Sequence, residues 1–256
     1  MFIDSHCHLN FPDLLKDIDT LLGNMQVNLV THALCVSVDL ASFPQVLALA
    51  ENHDNLYASV GVHPDYELEA EPTQAELVSL ALHPKVIAIG ETGLDYYRLT
   101  GDLEWQRERF RTHIRAAKEC AKPLIIHTRA AAIDTLQIMN EEDAGQVGGV
   151  MHCFTENLQV AKAAINLGFY ISFSGILTFK NATQIKEVAQ AIPLDRILIE
   201  TDSPYLAPTP YRGKTNQPAY VKFVAEEIAK LKNISLQEVG ETTSHNFNTL
   251  FRLNNN

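Results

Sequence analysis

Two histidines separated by one residue stand near the amino terminus, where His6 and His8 follow a short apolar run. In a β-strand, residues i and i+2 point to the same face, so both imidazoles can approach one cation. Taken alone, the pair slightly favours the alternative of two histidines hydrogen-bonded at a solvated strand end. Further residues of metal-binding type are therefore needed before the pair indicates a metal site.

Four such residues follow other apolar runs. His127 and His152 each end one, and Glu91 and Asp202 follow two more. A single histidine of this kind is more often a hydrogen-bonded core residue than a ligand, but repetition favours a metal centre, because neutral imidazoles at one place would compete for partners. Six ligands exceed the four of a tetrahedral zinc. The sequence thus predicts two divalent cations (Mg, Mn or Zn) with Glu91 as the bridge, and Glu200 is expected to support the ligands from deeper in the fold.

The elements that must position these side chains are eight short runs rich in Val, Ile and Leu, each followed by a stretch of helical character. This alternation indicates a parallel sheet with crossover helices. Segments 103–121, 182–191 and 219–232 show the spacing of amphipathic helices. The predicted strands run approximately from Phe2 to Cys7, His32 to Val38, Tyr57 to Val62, Val86 to Gly90, Leu124 to His127, Gly149 to Cys153, Tyr170 to Phe173 and Ile197 to Glu200.

Polar motifs lie at the carboxyl-terminal end of seven of these eight strands. Periodicity alone fits both an open doubly wound sheet and a closed barrel. An open sheet concentrates its ligands at one switch point, whereas a barrel gathers every strand end around one mouth. We therefore predict an α/β fold, a single (β/α)8 TIM barrel, with the metal site at its carboxyl-terminal mouth.

Length and composition set further limits. The 256 residues contain no linker-like or low-complexity run, which predicts one domain over residues 1–256. No apolar run approaches the roughly 20 residues that cross a bilayer, and the start lacks a signal-peptide pattern, so we expect a cytoplasmic protein without membrane contact. Its cysteines are expected to be reduced, with Cys7 and Cys153 as packing residues. The formal charge of −11 opposes broad binding to a polyanion, so any nucleic-acid contact must be local.

Basic side chains near the predicted mouth are candidates for such a contact. The loop at 203–218 contains four prolines and should be stiff, and its Arg212, Lys214 and Asn216 are the candidate phosphate-binding groups, together with Arg129. The alternative for this loop is a solvated basic surface. The basic residues of segment 103–121 alternate with acids and are expected to form a solvated helix face.

His63 ends the third predicted strand, in a Gly-Val-His-Pro motif. Two interpretations are equally supported by the residues: the imidazole contacts substrate phosphate, or it caps the strand end beside Pro64. Asp95 and Tyr96 are similarly placed after the fourth strand. We include His63 among the candidate substrate-binding residues.

Long motifs distributed over the whole chain resemble those of the TatD family in the metal-dependent amidohydrolase superfamily. They are DSHCHL at 4–9, GVHP at 61–64, GETGLDYY at 90–97, KPLIIHTR at 122–129, HCF at 152–154, GFYISFSG at 168–175, ETDSPYLAP at 200–208 and RGKTNQP at 212–218. The resemblance implies a dinuclear-metal barrel with magnesium-dependent DNase activity, often 3′-to-5′ exonucleolytic. It further implies one metal held by His6, His8, Glu91 and Asp202, and another held by Glu91, His127 and His152.

The expected reaction is hydrolysis of phosphodiester bonds in DNA ends or single-stranded DNA, with Asp202 accepting the proton of the attacking water and Glu91 sharing the cations. Hydrolysis of a small amide, ester or lactone remains the main alternative, because the ligands alone fit it equally well. A metal-binding barrel without turnover is a third possibility, against which the intact ligand set weighs. No obligate protein partner is evident.

Overall fold

Eight parallel strands form one sheet in which each strand pairs with the next one along the chain. The computed structural model describes residues 1–67 and 69–253. The strands are β1 Phe2–Cys7, β2 Val30–Cys35, β3 Leu56–Val60, β4 Val86–Asp95, β5 Leu124–Arg129, β6 Gly149–Met151, β7 Phe169–Phe173 and β8 Ile197–Ile199. This order confirms the predicted (β/α)8 TIM barrel.

Helices follow the strands and cover the outside of the sheet. Those within the described ranges are α1 Pro12–Leu15, α2 Ile18–Val27, α3 Phe43–Asn52, α4 Gln74–Ala81, α5 Glu104–Cys120, α6 Ala132–Glu141, α7 Leu158–Asn166, α8 Thr183–Ala191, α9 Val221–Lys232 and α10 Leu236–Leu250. The three segments predicted as amphipathic helices correspond to α5, α8 and α9. Across residues 1–67 and 69–253, no helix has the length and apolarity required to cross a membrane.

The barrel closes at its carboxyl-terminal end, where β1 meets the chain that follows β8. The backbone N–H of Asp202 donates to the His6 carbonyl oxygen at 2.9 Å, and the N–H of His8 donates to the Ser203 carbonyl oxygen at 2.9 Å. These hydrogen bonds join the segments that carry three of the predicted ligands. The same hydrogen bonds therefore close the barrel and hold these ligands near one another.

Strand β4 continues to Asp95, five residues beyond the predicted end, and all ten of its residues are buried. Its register against β5 is irregular between residues 89 and 92, as in a β-bulge. Gly90 has φ 145°, and a Cβ atom at Gly93 would lie 2.0 Å from a carbonyl oxygen of β5, so both positions require glycine. The bulge allows Glu91 and Asp95 to reach the mouth from one strand.

His113 of α5 is fully buried and fixes the chain just before His63. Its Nε2 accepts a hydrogen bond from the Val62 N–H at 3.0 Å, and its Nδ1 donates to the Arg109 carbonyl oxygen at 2.8 Å. The ring must be neutral to accept at Nε2. Consistent with this, burial lowers the pKa of His113 to about 4.

We predict that His113→Gln weakens the acid sensitivity of folding. Glutamine, like the neutral imidazole, offers a donor and an acceptor but does not titrate. In the unfolded wild-type chain this histidine has a pKa of about 6.5, so protons favour the unfolded state, and stability present above pH 6.5 falls by up to about 3 kcal/mol as the pH decreases to 4. Urea unfolding of both proteins from pH 7 to pH 4 measures the difference. Parallel pH profiles would contradict the assignment.

Candidate metal centre

The structure brings all six predicted ligands together at the mouth of the barrel. His6 Nε2 lies 3.2 Å from His8 Nε2 and 3.4 Å from Glu91 Oε2. Asp202 Oδ1 lies 3.4 Å from His8 Nε2 and 3.7 Å from His6 Nε2. These donor atoms come from β1, from the bulge of β4 and from the segment after β8.

The second oxygen of Glu91 faces a different set of imidazoles. Glu91 Oε1 lies 2.7 Å from His152 Nε2, 3.1 Å from His127 Nδ1 and 3.4 Å from His63 Nε2. The carboxylate therefore stands between two groups of nitrogen donors, which is the position that a bridging ligand must occupy. His63, for which the sequence left two interpretations, lies in the centre itself.

The donor atoms converge closely enough to hold cations. Three groups, each with its ligand atoms within 4.8 Å of one another, are His6 with His8 and Glu91, His6 with His152 and Asp202, and His63 with Glu91 and His127. His152 Nε2 is buried and makes no hydrogen bond among the described residues, although it lies 2.7 Å from a carboxylate oxygen. Such a nitrogen is costly to bury unless a ligand satisfies it. This mixture of nitrogen and oxygen donors fits a divalent cation such as Zn or Mn.

Both carboxylates of the centre are ionised at neutral pH. Burial by itself would raise the pKa of Glu91, but the charges of His152 and His63 hold it well below its usual value. Burial likewise opposes ionisation of Asp202, but the hydrogen bond with His8 and the charges of the surrounding imidazoles together lower its pKa. The centre therefore presents two negative charges to a cation.

Two further carboxylates hold the ligand imidazoles from behind. Asp95 Oδ2 lies 3.1 Å from His127 Nε2, and Glu200 Oε1 lies 3.2 Å from His152 Nδ1. A carboxylate on the second ring nitrogen fixes the tautomer and orientation of a metal-binding histidine. Burial opposes ionisation of Asp95, but the hydrogen bond with His127 lowers its pKa to about 2.

His63 is oriented by residues that the sequence reasoning missed. Its Nδ1 contacts Asp65, whose Oδ2 accepts a 2.8 Å hydrogen bond from Arg98 Nη1. Arg109, expected on a solvated helix face, is 2% exposed instead, pairs with Glu71, and donates to the His63 carbonyl oxygen at 3.0 Å. The acid two residues after the histidine was the available signal for Asp65. Arg98 and Glu71 lie in loops, where the direction of a side chain does not follow a regular repeat along the sequence.

Arg129 faces the mouth. Its guanidinium stacks on the ring of Tyr97 at 3.9 Å, and no carboxylate within residues 1–67 and 69–253 pairs with it. Arg212 and Lys214 lie outside the central cavity. The guanidinium carbon of Arg212 lies 3.6 Å from the centroid of the Phe179 ring, and Lys214 Nζ lies 5.7 Å from the centroid of the Tyr211 ring.

Asn216 does not face substrate, which corrects the expectation of a phosphate contact. The side chain is fully buried, and its Nδ2 donates to the carbonyl oxygens of Thr201 and Tyr205 at 2.8 and 2.7 Å. Both N–H groups are thus used to hold the loop that follows β8 against the strand end. A polar residue in a proline-rich loop gave no sequence signal for this inward orientation.

The two cysteines beside ligand histidines differ in placement. Cys7 is fully buried, and its Sγ donates to the Leu34 carbonyl oxygen, as a packing residue does. Cys153 lines the cavity instead, with its Sγ 3.2 Å from Ser174 Oγ, so the expectation of packing was wrong for this residue. Burial raises the pKa of the Cys153 thiol well above its usual value, which keeps it protonated.

These side chains surround an open cavity of about 600 Å3 at the mouth. Besides the metal-binding residues, its walls include Phe11, Tyr66, Arg98, Arg129 and Tyr205. Its size falls in the range of pockets that bind small molecules or one unit of a polymer. The cavity therefore combines a cation-binding floor with aromatic and cationic walls.

Comparisons with known proteins find matches that extend over nearly the whole chain. The family model described as TatD related DNase matches residues 3–252. The chain belongs to the TatD family. Among curated relatives, the uncharacterized metal-dependent hydrolase YcfH of Escherichia coli K12 is 45% identical over 254 residues, covering 98% of this chain and 96% of that protein.

Two further comparisons also cover nearly the whole chain. The uncharacterized metal-dependent hydrolase YabD of Bacillus subtilis is 42% identical over 255 residues, covering 99% of this chain and 100% of that protein. The crystal structure of YjjV, a TatD homolog from Escherichia coli K12, superposes with a TM-score of 0.91 at 30% identity, covering 99% of this chain and 98% of that chain. The TatD-family protein described here is accordingly a metal-dependent hydrolase.

We predict that Zn or Mn added to metal-depleted protein raises its thermal unfolding midpoint. A cation that binds only the folded state at a thousandfold excess over its Kd adds about 4 kcal/mol of stability, or about 10 °C for a chain of this length. Glu91→Gln should lose most of this rise, because one negative charge of the centre is removed. Asp195→Asn, an exposed carboxylate ahead of β8, is the control and should keep it. Equal rises in all three proteins would place the bound metal elsewhere.

Proposed function

We propose that this TatD-family protein is a metal-dependent deoxyribonuclease that removes nucleotides from the 3′ ends of DNA or from single strands. The observation that carries the proposal is the unpaired guanidinium of Arg129 at the wall of a cavity whose floor is the metal centre. A guanidinium held by an aromatic ring keeps its N–H donors free for an anion such as phosphate. The DNase in the description of the matching family model supports the same substrate.

We propose that the site holds two cations. One would be held by His6, His8, Glu91 and Asp202, and the other by Glu91, His127 and His152. When bound, divalent cations at such a site make water more acidic and neutralise charge on phosphoryl oxygens. The convergence of His63 on Glu91 and His127 adds a further imidazole at the second position.

Asp202 is the proposed acceptor of the proton from the attacking water. It lines the cavity, its side chain is 16% exposed, and its lowered pKa keeps it ionised and able to accept. The other carboxylates are less available, because Glu91 is enclosed by imidazoles, and Asp95 and Glu200 hold the backs of His127 and His152. Position and ionisation together favour Asp202.

The shape and charge of the molecule favour a strand end over the middle of a duplex. The cavity of about 600 Å3 suits one nucleotide at a time. The net charge of −11 repels a long polyanion from most of the surface, while Arg98 and Arg129 provide positive charge at the mouth. A substrate that enters by its end meets these arginines without lying along the acidic surface.

The compartment proposed for this activity is the cytoplasm. The four cysteines are free, and two of them, Cys7 and Cys35, are buried in the barrel. Free thiols persist in a reducing compartment.

We predict that metal-reconstituted protein releases mononucleotides from single-stranded DNA and that Asp202→Asn lowers kcat at least about 100-fold, because a general base typically contributes this much. Release is followed from an internally labelled oligonucleotide, with chelated protein as the metal control and Asp195→Asn as the control for charge. Metal content is measured for every protein. Full activity in metal-loaded Asp202→Asn would exclude this residue as the base. Turnover of small amides, esters or lactones without nucleotide release would replace the nuclease with a small-molecule hydrolase.

We predict that Arg129→Gln raises KM for the oligonucleotide about 10- to 100-fold, the effect of losing a charged hydrogen bond to phosphate. Arg129→Lys should recover part of the loss, because it restores charge but not the two-pronged geometry. The matched control is Arg196→Gln, since Arg196 also stacks on a tyrosine, at 5.4 Å, but lies before β8 at the opposite end of the barrel. Equal effects at both positions would indicate a general charge effect.

A further inference from the structure

A second cavity, of about 460 Å3, adjoins the catalytic cavity at the mouth. Phe11, Val38 and Tyr66 line both cavities, so the two are continuous across these three side chains. We call the second one the side cavity. Its remaining walls come from α1, α3 and the segments after β1 and β2, and include Asn10, Leu15, Lys16, Asp39, Ser42 and Gln45.

Aromatic rings are concentrated where the two cavities meet. The ring of Phe11 stacks on the imidazole of His8 with centroids 4.9 Å apart and planes at 13°, and it meets the ring of Tyr205 edge to face at 6.2 Å. The ring of Tyr66 stands edge to face with His63 at 6.2 Å. Tyr205 and Tyr66 are 56% and 38% exposed, so large apolar surfaces are open to a ligand. Exposed aromatic faces around a cavity favour a planar partner.

The backbone under these rings is held in place. Phe11 N–H donates to the His8 carbonyl oxygen at 3.1 Å, and Tyr205 N–H donates to the Asp202 carbonyl oxygen at 3.0 Å. The buried amide of Asn216 donates to the Tyr205 carbonyl oxygen. Each ring is therefore tied to a segment that carries a metal-binding residue. A preformed wall of this kind loses little conformational entropy when a ligand binds.

The polar groups of the side cavity complete the pattern. Asn10, 5% exposed, and Gln45, on the exposed face of α3, both carry amides, and Ser42 adds a hydroxyl. Amides and hydroxyls both donate and accept hydrogen bonds, so they can meet the edge of a heterocycle whatever its order of donors and acceptors. The arginines of the mouth, Arg98 and Arg129, line only the catalytic cavity. Lys16 and Asp39 add one group of each charge to the wall of the side cavity, so the cavity as a whole suits a planar ring with a polar edge.

We propose that the side cavity binds the nucleobase of the nucleotide whose phosphate lies at the metal centre. The identity of that phosphate rests on the proposed function, whereas the preference for a planar ring rests on the side cavity alone. Stacking accepts every base because each has a π face. The site should therefore require a base without selecting among bases.

The test compares two probes that differ only in the base, deoxyadenosine 5′-monophosphate and 2-deoxyribose 5-phosphate. Their affinities for the metal-loaded protein are measured by titration calorimetry. We expect the nucleotide to bind about tenfold more tightly, within the range measured for stacking of one base on aromatic side chains. Thymidine 5′-monophosphate should show a similar advantage over the base-free probe.

Gln45→Trp fills the side cavity from α3 without touching a metal-binding residue, and it should remove the tenfold preference while leaving the affinity for 2-deoxyribose 5-phosphate unchanged. Asn52→Trp places the same ring on the exposed end of the same helix and is the matched control that should keep the preference. Tyr66→Leu, which removes an aromatic wall without filling space, should lower the preference as well. Together these variants separate loss of the cavity from loss of the fold.

Equal affinities of the two probes for the wild-type protein would overturn the proposal, as would a preference that survives in both Gln45→Trp and Tyr66→Leu. The outcome is independent of the nuclease assay. A base preference without any phosphodiester cleavage would keep the side cavity as a nucleotide-binding site and reject the proposed reaction. Cleavage without a base preference would do the reverse.

Discussion

A carboxylate buried at the mouth of the barrel is the constraint on which the rest of this structure depends. Glu91 is 2% exposed, and four imidazoles, those of His6, His63, His127 and His152, lie within 3.4 Å of its oxygens. Burying an ionised carboxylate costs several kcal/mol unless positive charge and hydrogen bonds compensate. The bulge in β4, together with Gly90 and Gly93, directs the carboxylate of Glu91 toward these four imidazoles.

Further carboxylates lie behind the imidazoles that surround Glu91. Asp95 and Glu200 contact the far nitrogens of His127 and His152, and Asp65 contacts the far nitrogen of His63, whereas Nδ1 of His6 has no hydrogen-bond partner among residues 1–67 and 69–253. When the imidazoles are neutral, as metal ligation requires, the carboxylates of the mouth leave an excess of negative charge that a bound divalent cation would balance.

The metal-binding residues were predictable from the sequence because side chains alternate regularly between the two faces of a β-strand. The i, i+2 spacing of His6 and His8 and the strand-terminal positions of His127 and His152 project directly onto one mouth. Residues outside this alternation were not predictable in the same way. Asn216 turned inward to hold a loop, and Arg109 and His113 turned from α5 toward the chain around His63, because packing between elements decides these directions. Strand β4 seemed to end at Gly90 for a related reason, since glycines that permit a bulge also resemble a turn.

The mouth of the barrel is asymmetric, and this asymmetry favours one orientation of a bound ligand. Phe11, Tyr66 and Tyr205 follow β1, β3 and β8, whereas Arg98 follows β4 and Arg129 ends β5. A nucleotide has the same division, with an apolar ring at one end and anionic phosphates at the other. Under the proposed function, with the base against Phe11 and Tyr66, the reacting phosphate would lie over Glu91 and the rest of the strand would leave past Arg129. The net charge of −11 opposes binding of a polyanion along the surface, so the arginines of the mouth would supply the attraction that a strand end needs.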